Sequence, residues 1–383
     1  MRFEEAYGGN RGRLTQHEAA LALGMSERNF RRYVCRYEGE GEAGLEDKRS
    51  QVCLARGAPL DEVMAVQNRY EKQYSGWNVR HFHEWYRREG GERSYSWVKK
   101  QLQAGGLVKR GSQKGRHRRK RDRKPLAGMM IHQDGSRHEW LAGQWHDLIV
   151  TMDDATGEHY AMFLVPEEGT ASSFRGMEEV IGAQGLPCSF YSDRGSHYWH
   201  TPVADGPADK SRLTQFGRAM KQLGITMIAA YSPQARGRSE RVFRTHQDRL
   251  VKELALQGIA DIEAANCYIQ QTYLPHYNAE FAVPAPEEGS AFVPWIGGET
   301  LREVLCEQYD RVVGADNCVR FEALFLQIPS DRHRCHYVKA RVSVHRYTDG
   351  ALSIFHGPRK LADYTTEGKE TSVPQGALQA ARA

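Results

Sequence analysis

The sequence has no closely paired cysteines and no long apolar runs, and we expect no signal peptide. Its seven cysteines include no CxxC pair and no Cys/His spacing suited to zinc. An odd, scattered set predicts reduced thiols rather than a disulfide framework. No uncharged apolar run approaches the ~18 residues that a spanning helix needs, and the first residues have no apolar signal-peptide core. These absences predict a soluble cytoplasmic protein with no membrane partner.

Charge is unevenly distributed along the 383 residues, a length that predicts two to four domains at ~100–200 residues each. The formal net charge is only +5, yet residues 109–124 carry ten Lys and Arg against the single acid Asp122. So polar a run is typical of a flexible linker, and its charge favours a polyanionic partner. We predict a DNA-tracking linker, with a solvated tether as the alternative. Its candidate DNA-binding residues are Arg116, Arg118, Arg119, Lys120 and Arg121.

Residues 1–50 are predicted to hold a helix-turn-helix DNA-binding domain. Apolar residues recur at helical spacing on both sides of Gly24, which supplies the turn, and Ser26 is a good N-cap for the second helix. Phe30 and Val34 would dock that helix. The candidate DNA-binding residues on it are Arg28, Arg31, Arg32 and Arg36. A helical hairpin with a solvated charged face remains an alternative.

A second helical domain is predicted over 51–108, with helices over 63–74, 79–88 and 96–103. Lys99 and Lys100 project from the last of these and are candidate DNA-binding residues. A structural spacer is as good an interpretation as a second DNA-binding module.

Residues 125–290 change from helical to alternating periodicity and predict an α/β core with a mixed five-stranded sheet. The order is three closely spaced strands, helix, strand, helix, strand and a long helix. The predicted strands are 129–140, 147–152, 159–165, 188–192 and 225–230, and the helices are 171–183, 213–223 and 238–257. Further strands at 320–327, 336–341 and 351–355 predict a small β-rich, barrel-like domain over 291–365, followed by a disordered tail over 366–383.

Three carboxylates in the core are candidate catalytic residues and metal ligands. Asp134 lies within the first strand, where an unused charge is costly, and Asp193 follows the fourth strand at its carboxyl end. Glu240 lies in the first turns of the long helix. Two divalent metal ions held by carboxylates can activate a nucleophilic oxygen and stabilise a leaving oxygen at a phosphodiester. Each acid taken alone also fits an ordinary turn or helix-dipole role.

The motifs around these acids resemble the DDE integrase core of bacterial insertion-sequence transposases, which are related to retroviral integrases. They are QDGSRHEW, YSDRGSHYW and the segment from LTQFGRAMKQLGI to YSPQARGRSERVF. With the helix-turn-helix, the pattern is most similar to the ISNCY group. The resemblance implies a ribonuclease H-like core, two Mg²⁺ ions per site with Mn²⁺ possible in their place, and cleavage and joining of double-stranded DNA. It further implies a homo-oligomer on element ends and target, at the bacterial nucleoid.

The spacing of the acids departs from the integrase pattern at one point, and several basic and polar residues lie close to Glu240 in the sequence. The interval between Asp193 and Glu240 is 46 residues, longer than in many integrases, and the excess fits a loop insertion at 199–215. The resemblance gives Arg244 and Gln247 a role near the DNA end, and Arg236 and Arg238 flank a glycine in a loop that can approach phosphates. Two alternatives remain open, namely a nuclease of the same fold without strand transfer and a transposase-derived DNA-binding regulator.

Overall fold

The structure is a computed structural model. It describes residues 2–46, 58–109, 122–201, 208–209, 211–231, 239–297, 300–330 and 334–371. The chain divides into two compact units. One comprises Met1–Glu71 and Lys100–Leu107, and the other comprises Lys72–Lys99 and Val108–Ala383. Among the described helices, none has the length and apolar character needed to cross a membrane.

The N-terminal helices form the predicted helix-turn-helix and an additional preceding helix. Their bounds are α1 Phe3–Gly12, α2 Gln16–Ala22 and α3 Glu27–Glu40. Thr15 caps α2 through a reciprocal pair with Glu18, and the Ser26 side chain accepts a hydrogen bond from the Asn29 amide. Gly24 has a φ of 68°, which suits the turn. The small shared core consists of Ala6, Ala19, Ala20 and Phe30, so α1 helps to bury the face of α3.

Three further helices occupy the next segment, namely α4 Leu60–Gln73, α5 Val79–Arg88 and α6 Tyr95–Ala104. Each begins within three residues of its predicted start. Asn78 caps α5 by accepting a hydrogen bond from the His81 amide at 2.8 Å.

The core contains one five-stranded mixed sheet. Its strands are β1 Ile131–Leu141, β2 Gln144–Asp153, β3 His159–Val165, β4 Ser189–Ser192 and β5 Thr226–Ala229. The strand order is β3-β2-β1-β4-β5. The first three strands are antiparallel, whereas β4 runs parallel to both β1 and β5. Strand order and directions agree with the ribonuclease H-like prediction.

Helices cover both faces of this sheet. Helices α7 Thr170–Ala183 and α8 Gln215–Gln222 pack on one face, and α9 Ser239–Leu256 packs on the other with α10 Ile262–Tyr268 and α11 Leu274–Phe281. A π-helical turn, Ile269–Tyr273, joins α10 to α11. Alternation along β2 sends Val150 toward α9 and Ile149 to the opposite face, as a strand buried on both faces requires.

The C-terminal strands form an open sheet and a hairpin. After the short helix α12 Thr300–Val304 come the strands β6 Glu307–Val312, β7 Cys318–Phe321, β8 Leu324–Gln327, β9 Arg341–Arg346, β10 Leu352–His356, β11 Arg359–Tyr364 and β12 Glu370–Thr371. The larger sheet has the order β12-β11-β10-β9-β6, and β7 pairs with β8. The predicted barrel is not confirmed, because the described strands leave this sheet with two ends.

Three local predictions in this region were wrong. Residues 320–327 contain a hairpin rather than one strand, since Glu322 takes a φ of 53° at the turn. The strand expected at 336–341 begins only at Arg341, because residues 337–340 form a turn in which Lys339 has a φ of 61°. Residues 370–371, placed in the disordered tail, pair with β11. Residues 372–383 lie outside the described part of the chain.

Helix α5 packs against the long core helix α9 through buried polar contacts. His81 Nε2 lies 2.7 Å from Glu253 Oε1, and Arg249 donates two hydrogen bonds to Glu84 at 2.6 and 2.9 Å. Glu253 also accepts a hydrogen bond from the Tyr268 hydroxyl at 2.7 Å. These pairs satisfy charges that would otherwise be costly to bury. Helix α5 is therefore held on the helix that carries Glu240.

Candidate active site

Asp134 and Asp193 lie at matching positions on neighbouring parallel strands. The register between β1 and β4 pairs Ile131 with Phe190 and His132 with Tyr191. Asp134 and Asp193 are each two residues beyond that last pair, and adjacent strands are about 4.8 Å apart. Both side chains are half-buried. The topology thus brings the first two predicted carboxylates together at the carboxyl edge of β4, where α/β sheets place ligands.

Two glycines allow close packing around these acids. A Cβ on Gly135 would overlap the carboxylate of Glu168. A Cβ on Gly195 would lie 2.9 Å from His197 Cε1 and 3.0 Å from Asp193 Oδ1. The Gly195 amide also donates a hydrogen bond to Asp193 Oδ1 at 2.8 Å. Neither position has room for a side chain without displacement of a group at the site.

Three residues that the sequence analysis did not select surround the aspartate pair. Glu168 Oε1 is 3.4 Å from His197 Nε2, and the rings of His197 and Tyr198 have centroids 3.9 Å apart. Burial raises the pKa of Tyr198 well above its ordinary value, and the charges of Glu168, Asp134 and Asp193 raise this pKa further. All three carboxylates therefore lie near one buried phenol. The sequence signal for Glu168 and His197 was their position in the segments that follow β3 and β4, three and five residues after the strand ends.

The glutamine Gln133 supports β1 from the opposite face to Asp134. Its amide donates to Thr151 Oγ1 at 3.0 Å, and its carbonyl accepts a hydrogen bond from the Tyr198 hydroxyl at 3.3 Å. The buried side chains of Gln133 and Tyr198 thereby connect β1, β2 and the segment after β4.

Glu240 lies on the face of α9 that is turned toward β1. Gln247 Nε2 donates to Ser136 Oγ at 3.2 Å, and Glu240 precedes Gln247 by two turns on the same face. Gln144, beside the end of β1, donates to the Ala260 carbonyl at 2.9 Å, so α9 and β1 run in the same direction. Counted back from the contact between Gln247 and Ser136, Glu240 lies seven helical residues earlier at ~1.5 Å each, and Asp134 lies two strand residues earlier at ~3.3 Å each. Along the common direction of α9 and β1, the two residues are therefore within about 4 Å of each other. The Glu240 side chain itself is exposed.

The donor set suits a hard divalent cation, which prefers carboxylate oxygens. Two of the predicted ligands are adjacent, and the glycine-lined space beside them accommodates no side chain. Within the described ranges, however, no three His, Cys, Asp or Glu side chains are grouped closely enough to hold one metal ion. The aspartate pair therefore fits two ligands of a metal site.

The structure assigns local roles to several other acids and bases. Both oxygens of Asp153 accept backbone hydrogen bonds, from Ala155, Thr156 and Gly128, so this acid stabilises the turn at the end of β2. Asp154 is buried against His132 at 2.7 Å. His138 lies 5.2 Å from Trp140, centroid to centroid, and no metal-type cluster forms around it among the described residues.

The predicted DNA-binding residues fall into three groups. Arg28, Arg32, Arg36, Lys99, Lys100 and Arg244 are exposed. Arg31 and Gln247 have partners within the fold, because Arg31 donates to Gln16 Oε1 at 2.8 Å and pairs with Glu27, and Gln247 binds Ser136. The linker candidates Arg116, Arg118, Arg119, Lys120 and Arg121, and the loop residues Arg236 and Arg238, lie outside the described residues.

Known proteins similar to this chain identify its family. A family model described as a helix-turn-helix domain matches residues 10–51. A curated relative from Sinorhizobium fredii, named as a transposase, y4bF, is 31% identical over 354 residues, which cover 90% of this chain and 75% of the relative. The chain belongs to the insertion-sequence transposases. The transposase for insertion sequence IS1202 of Streptococcus pneumoniae is 28% identical over 53% of this transposase and 43% of its own length. The prediction of an insertion-sequence transposase is confirmed, whereas the ISNCY group stays a prediction.

Solved structures with similarity to this transposase include two from retroviruses. One is a simian T-cell lymphotropic virus intasome in complex with the PP2A regulatory subunit B56 gamma, 13% identical over 81% of this chain and 100% of that chain, with a TM-score of 0.33. Another is the HTLV-2 integrase catalytic core domain in complex with magnesium, 16% identical over 38% of this chain and 89% of that chain, with a TM-score of 0.28.

Proposed function

We propose that this transposase cleaves DNA at the ends of its insertion element and joins the freed 3′ ends to target DNA, with Asp134, Asp193 and Glu240 as the catalytic acids. The observation that supports the proposal best is the placement of Asp134 and Asp193 at matching positions of parallel neighbours β1 and β4. The face and direction of α9 support Glu240 as the third acid at the same edge of the sheet.

Asp134 and Asp193 would hold a divalent cation, Mg²⁺ or Mn²⁺, and Glu240 would complete a second site. A bound pair of such ions supplies activation of the attacking oxygen and stabilisation of the leaving oxygen. The protein's own contribution is to fix the two aspartates on rigid strands and to bring the third acid from α9. Three converging carboxylates repel one another unless cations neutralise them, so cation binding favours the approach of Glu240 to the aspartates.

The DNA is recognised, under this proposal, by the helix-turn-helix and by basic side chains along the chain. Arg28, Arg32 and Arg36 project from α3, and residues 109–124 contribute ten cations. Arg244 follows Glu240 by one helical turn, so it would contact the phosphate backbone next to the scissile bond. Element ends are held in pairs during transposition, and we propose a homo-oligomer on DNA.

A strand-transfer assay tests this function. The full chain is incubated with labelled duplexes that end in the inverted repeats flanking its gene, a supercoiled target plasmid, and Mg²⁺ or Mn²⁺. Labelled plasmid is the expected product, whereas cleavage without joining would indicate a nuclease and binding alone would indicate a regulator.

Variants of the acids then test the site assignment. Asp193→Asn and Glu240→Gln should each lower the rate by at least ~10³-fold, because removal of a metal ligand removes charge stabilisation in the transition state, while DNA binding persists. Glu263→Gln is the matched control for Glu240, since Glu263 is also an exposed acid in the first turn of a helix. Full activity in Glu240→Gln would remove Glu240 from the proposed site.

A further inference from the structure

Glu168 is a fourth carboxylate beside the aspartate pair that the proposed chemistry does not yet use. It follows β3 and precedes the N-cap of α7, and its backbone amide donates to the buried Asp147 at 2.7 Å. Asp147 itself belongs to β2 and pairs with Arg137 of β1 at 3.6 Å. The backbone at Glu168 is therefore anchored to β1 and β2.

The Glu168 carboxylate occupies the space that a side chain at residue 135 would fill. Gly135 directly follows Asp134, and its amide donates to Asp134 Oδ1 at 3.1 Å. Glu168 thus contacts the backbone of β1 one residue beyond the first catalytic acid. A shorter side chain at 168 would leave this contact unmade.

The same carboxylate faces the loop that carries the second acid. Glu168 Oε1 lies 3.4 Å from His197 Nε2, and the ring of His197 packs against Gly195, whose amide binds Asp193. His197 Nε2 is buried and forms no hydrogen bond with any described residue, so the Glu168 carboxylate at 3.4 Å is its recorded ionic contact. Glu168 therefore links the backbone beside Asp134 to the loop beside Asp193.

We propose that Glu168 is a positioning residue of the active site that acts through His197 and Gly135 to hold Asp134 and Asp193 at the separation a shared cation requires. Its negative charge also increases the electrostatic attraction of the pair for a divalent cation. Groups of this kind, which contact the ligands rather than the metal, typically account for roughly 10–100-fold in metal affinity or activity. The inference rests on the proposed function, since it assumes that Asp134 and Asp193 bind metal.

Metal binding is the first test and does not depend on catalysis. Calorimetric titration of the full chain with Mn²⁺ should show roughly 10–100-fold weaker binding in Glu168→Gln, which keeps the size of the side chain and removes its charge. Glu167→Gln is the matched control, because Glu167 is the neighbouring acid on the same loop and is exposed. Equal Mn²⁺ affinity in the two variants would overturn the inference.

Kinetics distinguish positioning from a loss of structure. Glu168→Gln should lower kcat for strand transfer while the Kd for DNA measured in EDTA and the Tm stay at wild-type values. His197→Gln should produce a similar loss, and the double variant should lose little more than either single one, because coupled residues are not additive. If the fold-losses of kcat in the two single variants multiply in the double variant, the proposed link through His197 is contradicted.

The Mn²⁺ titration and the strand-transfer assay together distinguish a failure of this inference from a failure of the proposed function. A wild-type chain that joins no DNA, together with weakened Mn²⁺ binding in Glu168→Gln but not in Glu167→Gln, would refute strand transfer and support the role of Glu168. If the wild-type protein joins DNA and Glu168→Gln changes neither the Mn²⁺ affinity nor kcat, strand transfer is supported and the role of Glu168 is refuted.

Discussion

Gly135 is the residue that most directly tests the packing around Asp134 and Asp193, the proposed catalytic acids. Gly135→Ala adds a methyl group where the Glu168 carboxylate lies, so either β1 or Glu168 has to move. We expect at least a ~10-fold loss of kcat, since small displacements at a reacting centre are costly, with DNA binding unchanged. The measurement is single-turnover strand transfer. Gly182→Ala is the control, because a Cβ at that helical position would meet no neighbouring side chain and no backbone from another element within 4 Å. Equal kcat in the two variants would contradict the packing described.

The buried imidazole of His159 makes the free energy of unfolding depend on pH. Burial lowers its pKa to about 4, and its Nε2 lies 3.0 Å from that of His246, whose pKa burial also depresses. Between pH 6.5 and 4 the unfolded chain binds protons that the folded chain excludes, so stability present above pH 6.5 is lost as the pH falls. Each such histidine contributes a slope of about 1.4 kcal/mol per pH unit in this window.

Urea unfolding of His159→Gln at several pH values checks this expectation. The free energy of unfolding should fall less steeply from pH 6.5 to 4 than in the wild type, by about the slope of one histidine. The absolute stability at pH 7 is expected to change as well, but only the slope bears on the buried neutral imidazole. An unchanged slope would show that His159 is not responsible.

At the level of elements, the attachment of α5 to α9 depends on the pair Glu84–Arg249. Their side chains are 18% and 8% exposed, and two hydrogen bonds join them. Glu84→Gln leaves Arg249 buried without its counter-charge, which should lower the free energy of unfolding by about 3 kcal/mol. Urea unfolding monitored by circular dichroism measures the loss.

A more exposed ion pair on the same helix is the control for Glu84→Gln. Arg80 of α5 pairs with Glu280 of α11, with side chains 63% and 30% exposed. Glu280→Gln should cost less than about 1 kcal/mol, because solvent screens this pair. Similar losses in both variants would mean that the burial of Glu84–Arg249 has no energetic consequence.

For the whole molecule, the distribution of positive charge predicts the salt dependence of DNA binding. Each phosphate that a protein cation neutralises adds up to ~0.9 to the slope of log affinity against log salt. Replacing Arg28, Arg32 and Arg36 together by alanine should weaken binding and reduce this slope by up to ~0.9 for each phosphate that is no longer neutralised. Fluorescence anisotropy with a labelled duplex from ~50 to ~200 mM salt measures both quantities.

Arg31→Ala provides the internal comparison on the same helix. Its guanidinium already binds Gln16 and Glu27, so we expect a smaller change in the slope than for any of the other three arginines. A change in slope confined to Arg31 would show that the DNA-facing side of α3 is assigned to the wrong residues.

The sequence by itself was enough for the order of elements in the core, the helix-turn-helix and the transposase family. Helical and strand periodicity, the cap at Ser26 and the turn at Gly24 are local, so they follow from neighbouring residues. The C-terminal hairpin and strand starts were missed because they depend on positive-φ turns at Glu322 and Lys339, which residue type does not announce.

Only the tertiary structure decided which side chains meet across long stretches of chain. Glu168 reaches Gly135 and His197, and Glu84 reaches Arg249, although nothing in the local patterns pairs them. The same holds for the aspartates, whose proximity follows from the parallel register of β1 and β4. Periodicity determines which face of an element is apolar, but the partner of a polar side chain is set by how the elements pack. The physical reason is that long-range contacts depend on the whole chain, whereas helices, caps and turns depend on a few residues.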